Sequence, residues 1–542
     1  MNSIIKKLPV GLLGLALFAC SSDFLDTHPT DAADKETVFA TTDNVKLAVN
    51  GMAYLMVVQH SALGNYCGES YIRSIFSEYL SQEFRYNYLA PGWYPIMNGD
   101  YYDRTNSLYT YYQWTYYYEI IANANTILAH ADKAIGSDEE KAFYKAQALT
   151  FRAYCYEKLL ELYTYRWKDT NGGTTPGVVL RLDESTGSMP LSTVGECYAQ
   201  IYKDLDTAID LYAASGMKRN SAEVWLPDLT VAYAIYARTA LNRDDYPTAL
   251  SMAKAARNGH PLMSNTDYTA GFCKPNAEWL FGSYADESEN MWYFTWGTQF
   301  ACNGYRANSQ GYGAGDIEKE FSDRMPVDDL RMKLFLTVDK FPGIDVYGNS
   351  DEKDEEGKPI PHISHSSGAL QSDTIYNVAR AYADSITPAG LDKPYQCGYI
   401  EIGAQLKFWV FGFPGISYLC HIRASEMVLI EAEANYFLGD EAAARAALVE
   451  LNATSGRNPA YTCTKSGTDL FEEIADYREL ELWGEGFNWY DMKRWRRDIV
   501  RKSFAEGGNS HASTATTISA DKNTWTWSIP EAETDYNDEI KK

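Results

Sequence analysis

Apolar residues at helical spacing recur in four separate blocks of this 542-residue chain, and that period restricts the fold more than any other feature. Within residues 141–163, Ala146, Leu149, Ala153, Tyr156, Leu160 and Tyr163 fall on one face of a helix. Residues 194–212 place Tyr198, Ile201, Leu205, Ala208, Leu211 and Tyr212 in the same way. Residues 229–258 and 424–452 each hold two such stretches, parted by Asp245-Tyr246 in one and by Gly439-Asp440 in the other. The expected class is therefore mostly α. Residues 83–112, 261–315 and 341–405 are rich in aromatic residues and glycine and carry no period, so they read as long irregular loops with a few short strands.

The two divided blocks are rich in alanine, and side chains that small let paired helices approach closely. The pattern resembles the helix–turn–helix units of tetratricopeptide repeats, although the full repeat signature does not recur in tandem. A plain helical hairpin is the other reading of either unit.

The N-terminus reads as a targeting segment. Lys6 and Lys7 precede an apolar run over residues 8–19. That run is shorter than the roughly 20 apolar residues a bilayer-spanning helix needs. It closes with Leu17-Phe18-Ala19-Cys20, which resembles the lipobox of bacterial lipoproteins, where the leader is cut before the cysteine and the thiol is acylated. Phe18 is larger than the residue usual there, and an ordinary signal peptide with a chance cysteine is the other reading. The expected organisation is a leader over 1–19 and one intertwined unit formed by an N-terminal region, 20–230, and a C-terminal region, 231–542.

Loss of the leader changes the formal charge from −25 to −27, because Lys6 and Lys7 go with it. Such an excess opposes nucleic acid, whose phosphates need clustered Lys and Arg. It also opposes adsorption onto an anionic lipid surface, so the lipid would do the anchoring. Besides Cys20, eight cysteines are scattered without a C-x-x-C pair, which gives neither a disulfide framework nor zinc-ligand spacing. One or two bridges are compatible with an oxidising compartment, and spacing does not pair them. The acidic stretch 348–358 lacks the ligand order of an EF-hand and reads as a solvated loop. His362 and His365 would share a helix face only in a stretch that Pro, Ser and Gly keep from being helical. No metal, nucleotide or redox cofactor is expected; a structural calcium is compatible with the 73 acidic residues.

The 42 Tyr, against 21 Phe and 13 Trp, suggest surfaces that present a flat ring together with a hydroxyl. Tyr86, Tyr88, Trp93, Tyr94, Asn98, Tyr101 and Tyr102 are mixed with Pro91, Gly92, Pro95 and Gly99, so no regular element could bury every ring. A second cluster contains Trp292, Tyr293, Phe294, Trp296, Phe300, Tyr305 and Tyr312, in which Trp292, Phe294 and Trp296 alternate as on a short strand. The candidate ligand contacts are Trp93, Tyr94, Asn98, Tyr101, Tyr102, Trp292, Trp296 and Tyr305. Core or loop packing is the other reading for any one ring.

Several motifs follow one another in a fixed order. Phe24-Leu25-Asp26 with Pro29 comes first, then Thr37-Val38-Phe39 and Ala48-x-x-Gly51. Trp114, Tyr118, Ile121, Ala124-Asn125 and Leu128 follow, and then Ala146 with Phe151-Arg152-Ala153-Tyr154. Late in the chain stand Arg423-x-x-Glu426-x-x-Leu429-x-x-Ala432-Glu433-Ala434 and Arg478-x-x-Glu481-Leu482-x-x-Glu485-Gly486, with Asp491, Arg494-Trp495 and a closing Trp525-x-Trp527-x-Ile529-Pro530. The series resembles the SusD/RagB family of surface glycan-binding lipoproteins from end to end. Asn488 stands where that family commonly has Arg. The resemblance implies a non-catalytic protein on the outer face of a Bacteroidota-type outer membrane. It would bind oligosaccharide and cap a TonB-dependent transporter of the SusC type.

The charges of the Arg478 block fit a paired structural network better than an acid/base pair. A glycoside hydrolase would need two carboxylates set roughly 5 to 10 Å apart, and this mostly helical chain offers no strand series to carry them. No G-x-S-x-G or H-E-x-x-H motif occurs. A binding protein for peptide or other non-sugar cargo is the alternative, because fold does not settle ligand. Stable attachment needs more than one acyl chain, so Cys20→Ala should leave the chain uncut or released. Membrane fractionation reads this, and unchanged membrane localisation would contradict it.

Overall fold

The computed structural model describes residues 35–85, 93–285, 295–310, 315–344, 346, 373–396, 400–510, 512–521 and 525–540. Cys20, Trp292 and the 348–358 stretch, with His362 and His365, lie outside them. The scaffold helices are α1 (Thr42–Leu55), α2 (Leu108–His130), α3 (Asp138–Tyr163), α4 (Val194–Ser215), α5 (Leu229–Asn242), α6 (Tyr246–Ala256), α7 (Ala424–Phe437), α8 (Glu441–Val449) and α9 (Gly467–Leu482). Each of α2 to α7 packs on the next, and α8 and α9 close the row against α7 and each other. This is the tetratricopeptide-like hairpin scaffold read from the sequence.

Local chemistry sets the helix ends. Ser137 and Glu140 form a capping box at the start of α3, and Thr193 and Glu196 form another at α4. The two hairpin turns use one device: the side chains of Asp245 and Asp440 accept from the amides of Thr248 and Ala443 and so begin α6 and α8. Gly439, at φ +84°, turns the chain just before the second cap. Ala249, Ala253 and Ala256 on α6 and Ala444 and Ala447 on α8 are buried, which explains the close approach of each pair.

Two sequence readings change. Residues 108–112 belong to α2, because Ser107 caps a helix whose first turns are tyrosines rather than aliphatic residues. Helix α3 does not bury a single face: nearly all of it from Phe143 to Tyr163 is buried, since α1, α2, α4 and α5 all pack around it. Its charged residues are therefore inside. Arg152 pairs with Asp204 through hydrogen bonds of 2.8 and 2.6 Å.

Residues 257–423 leave the helical row and return to it. Their strand Trp279–Gly282 pairs antiparallel with Cys420–Arg423, setting Trp279 opposite Arg423. Of three more two-stranded pairs, Phe84–Arg85 with Asp316–Ile317 joins distant segments, and the other two join near neighbours in the chain. A second, smaller core includes Leu336, Ile375, Ile402, Leu406 and Trp409, with the helix Asp373–Ser385 lying inside the span read as loop. Among the described residues, Cys155, Cys197, Cys273, Cys302 and Cys420 are buried free thiols, packed as small apolar groups.

Where the excursion rejoins the scaffold, the interior is ionic. Arg423 donates to Glu278 and Glu481 at 2.8 and 2.7 Å and holds Glu485 with two bonds of 2.8 Å. Arg457 and Arg331 approach the other Glu481 oxygen at 3.2 and 3.0 Å. Lys407 reaches Glu485 at 2.7 Å, and Arg331 reaches Asp329 at 2.6 Å. Arg331, Lys407, Arg423 and Arg457 thus face Glu278, Asp329, Glu481 and Glu485, four charges of each sign, and all eight residues are buried. Burial alone would raise the Glu481 carboxyl, but the guanidiniums of Arg457, Arg423 and Arg331 outweigh it and hold it far below the usual range. Removing one partner leaves uncompensated buried charge, which costs about 3 to 5 kcal/mol. Arg423→Met should lose stability of that order in chemical denaturation, and a loss under about 1 kcal/mol would show the network to be energetically idle.

Candidate functional site

The first aromatic cluster is built on a short helix, Tyr94–Met97, with Pro95 in its first turn. Ile96 and Met97 point inward, which leaves Trp93, Tyr94, Asn98 and Tyr101 half-buried along the outer side. The Trp93 ring stands edge-on to Tyr71, Tyr79 and Tyr109 at centroid distances of 6.2, 5.8 and 6.1 Å. Tyr101 meets Tyr109 at 5.0 Å and carries the Arg104 guanidinium 4.4 Å above its ring. Asn98 donates its amide to the Ser513 carbonyl at 3.0 Å, while its Oδ1 has no protein partner. These are rings fixed edge-on by their neighbours, together with an amide whose acceptor oxygen is buried and unpaired.

Tyr102 is a different case. Its ring is 2 % exposed, stands edge-on to Trp527 at 4.7 Å and faces Trp489 at 6.2 Å. Trp296 is 4 % exposed, lies flat on Phe300 at 4.2 Å and meets the edge of Phe408 at 5.3 Å. Neither ring has a free face, so both are corrected from ligand contacts to packing residues. Trp296 opens a helix, Trp296–Phe300, capped by Thr295, while Trp292 and Phe294, the other two rings of the alternation, lie outside the described residues. Apolar alternation over three rings cannot separate a strand from a helix entry when the cap residue sits among them.

The structure does bring the two clusters together, through the interior. Trp93 contacts Tyr79, Tyr79 contacts Phe300 at 5.6 Å, and Phe300 stacks on Trp296. Tyr305 is half-buried at the surface and pairs edge-on with Phe413 at 6.0 Å. Phe413, 47 % exposed, was not among the sequence candidates; its place between Gly412 and Pro414, in a turn that pairs Gly412 with Ile416, is the signal that could have found it. Nearby Tyr284 and Trp225 pair at 5.9 Å. The surface thus offers half-exposed rings with hydroxyls at both clusters and a buried aromatic chain that fixes their spacing.

No acid/base pair stands free in the Arg478 block. Asp491 accepts from Arg478 at 2.6 Å and from Arg494 at 2.7 Å, and Arg494 also holds Glu433 at 2.6 Å. Asn488 occupies the position of an expected Arg and accepts from the Gln82 amide at 2.8 Å, tying the late helix to the early chain. Among the described residues no group of three His, Cys, Asp or Glu side chains converges as metal ligands. No described helix is long and apolar enough to cross a membrane.

Comparison with known proteins yields two family matches. A model described as starch-binding and associating with the outer membrane matches residues 23–241, and the SusD family model matches 414–542. No curated protein matches this chain. A SusD-like carbohydrate binding protein from Bacteroides vulgatus superposes with a TM-score of 0.70 at 19% identity, covering 93% of this chain and 98% of its own. A SusD superfamily protein from Bacteroides thetaiotaomicron gives 0.64 at 21%, with 92% and 98% covered. Surface glycan-binding protein A from Bacteroides thetaiotaomicron, solved in complex with laminarihexaose, gives 0.62 at 17%, also with 92% and 98% covered.

The burial difference has a measurable consequence. Truncating a buried large aromatic costs about 3 to 5 kcal/mol, whereas exposed substitutions stay within about 0.5 kcal/mol. Tyr102→Ala and Trp296→Ala should lower the unfolding free energy by amounts of the first kind, and Tyr94→Ala should stay close to the second. Equal melting temperatures for all three variants would contradict the assignment of Tyr102 and Trp296 to the core.

Proposed function

This chain belongs to the SusD/RagB family, and from that premise we propose that it is a non-catalytic lipoprotein of the outer membrane that captures glycan. The captured oligosaccharide would pass to a TonB-dependent transporter of the SusC type, with the protein held to the membrane through Cys20. The observation that carries the reading is the set of half-buried rings Trp93, Tyr94 and Tyr101 along the outer side of the short helix. Ring faces suit the apolar side of a sugar. The same fold, in a neighbour solved with laminarihexaose, supports a glycan over other cargo. The pairing of Glu481, Glu485 and Asp491 with Arg and Lys supports a binding role over hydrolysis.

A stacked ring contributes about 1 kcal/mol, so three or four rings correspond to a dissociation constant on the order of 1 mM. Weak single sites suit a surface protein whose neighbours hold the same polymer. A glycan array probed with the lipid-free chain from Ser21 onward should identify a polysaccharide preferred over its short oligomers. Tyr94→Ala with Tyr101→Ala should then weaken binding by about tenfold or more with the circular-dichroism signal unchanged. Binding that survives this change places the platform elsewhere, and enrichment of peptides instead of glycans moves the cargo to the alternative class.

A further inference from the structure

Helix α2 carries a second aromatic face that the first cluster does not use. Tyr109 points toward Trp93 and Tyr101. Tyr111, Trp114 and Tyr118, at helical intervals of three and four, occupy a different face of the helix. There they line a groove of about 800 Å³ between α2, residues 55–63 and the C-terminal residues 532–536. That volume lies in the range of small-molecule binding clefts, about 300 to 1,000 Å³.

The polar edges of the floor are turned into the protein. The Trp114 indole donates to Glu533 at 3.2 Å, and the Tyr118 hydroxyl donates to the Val179 carbonyl at 2.6 Å. Trp114 is buried beneath the floor, so the ring surface the groove presents comes from Tyr111, Tyr118 and Tyr536. On its wall stands Tyr536, 86 % exposed, the most exposed large apolar side chain among the described residues. Packing gives no reason for a ring in that position.

The rim carries charge of both signs. Glu119 lies 3.3 Å from His60, with its side chain 43% exposed, and Arg181 lies 3.6 Å from Glu533. Carboxylate and guanidinium groups can each bind two adjacent hydroxyls. A rim of mixed sign favours neither an anionic nor a cationic ligand. From Tyr111 to Tyr118 the helix rises roughly 10 Å, which is room for more than one sugar ring.

We propose that this groove is a second site for a neutral oligosaccharide, on the opposite side of α2 from the Trp93–Tyr101 cluster, with Tyr111 and Tyr536 stacking on sugar rings and Glu119 and Arg181 binding hydroxyls. The proposal rests on the glycan-capture reading and adds a second point of grip. One protein would then hold a long chain at two places, raising retention on polymer far more than affinity for a short oligomer.

Titration calorimetry with laminarihexaose and maltohexaose, and electrophoresis through gels containing laminarin, starch, xylan or mannan, test it on the lipid-free chain from Ser21. The intact protein should bind two oligomers, and Tyr111→Ala with Tyr536→Ala should bind one. Polymer retention should fall about tenfold, with the melting temperature unchanged. Tyr536→Ala alone, at a ring exposed enough to leave folding untouched, should show the same direction. Groove variants that match the intact protein in stoichiometry and retention overturn the second site and leave glycan capture standing. Groove variants that lose only transporter association, with glycan binding intact, overturn it in favour of a protein-docking surface. An intact protein that binds none of the probes overturns both readings.

Discussion

The buried ion cluster around Arg423 is the constraint on which the rest of the structure depends. Its eight members come from five separated stretches of chain: residue 278, residues 329–331, residues 407–423, residue 457 and residues 481–485. Desolvating a charge costs several kcal/mol, and attraction recovers that cost only when geometry and hydrogen bonding are complete. Here Arg423 uses its carboxylate partners and also donates to the Glu481 carbonyl at 2.7 Å. Slipping the Trp279–Gly282 and Cys420–Arg423 strands by one residue would move Arg423 away from Glu278 and leave both charges buried and unpaired. The long excursion through 257–423 therefore returns to the scaffold in one register. The irregular surface carrying Tyr305 and Phe413 inherits that fixed position.

Charge elsewhere in the interior is managed by protonation. Burial pushes the carboxyls of Glu157 and Glu479 up to about 8, so near neutral pH they are mostly uncharged. The formal charge of −25 therefore overstates the charge held inside the fold. The fully ionised interior acids are those with Arg or Lys against them, such as Glu481, Glu485 and Asp491. The block that reads as a paired network in sequence is thus set apart from an acid/base pair by its partners. Glu481, Glu485 and Asp491 are held low because they are paired, and a paired carboxylate has no proton to give.

What the sequence made legible follows the range of the forces involved. Helix period and alanine content act within a few positions, and they located α3 to α8 and both hairpin turns. The family motifs placed the Arg478 block correctly as structure. The aromatic residues were harder, because Trp, Tyr and Phe are at home in a core and on a surface alike. Trp296 and Tyr102 are packing residues because Phe300, Phe408, Trp489 and Trp527 arrive from distant parts of the chain. Tyr111 and Tyr536 were overlooked for other reasons: Tyr111 is one of many rings between Tyr109 and Tyr118, most of them buried, and Tyr536 stands alone in a polar tail. Local composition marks where rings are numerous, and only tertiary packing decides which of them keep a free face.

That division bears on how α2 would serve the proposed binding. A helix of tyrosines is a poor choice for simple core filling, because every buried hydroxyl needs a partner. Tyr112 and Tyr116 meet the requirement, donating to the Gly68 carbonyl at 3.2 Å and to Glu69 at 3.3 Å. Tyr118 does the same toward Val179. With those rings anchored inward, Tyr109 and Tyr111 are held rigidly on separate faces at the helix entrance. Rigid ring platforms lose little entropy when a flexible sugar chain settles on them. A weak binder gains most from this arrangement, since at millimolar affinity each ordered side chain that binding would otherwise have to freeze costs a large part of the total.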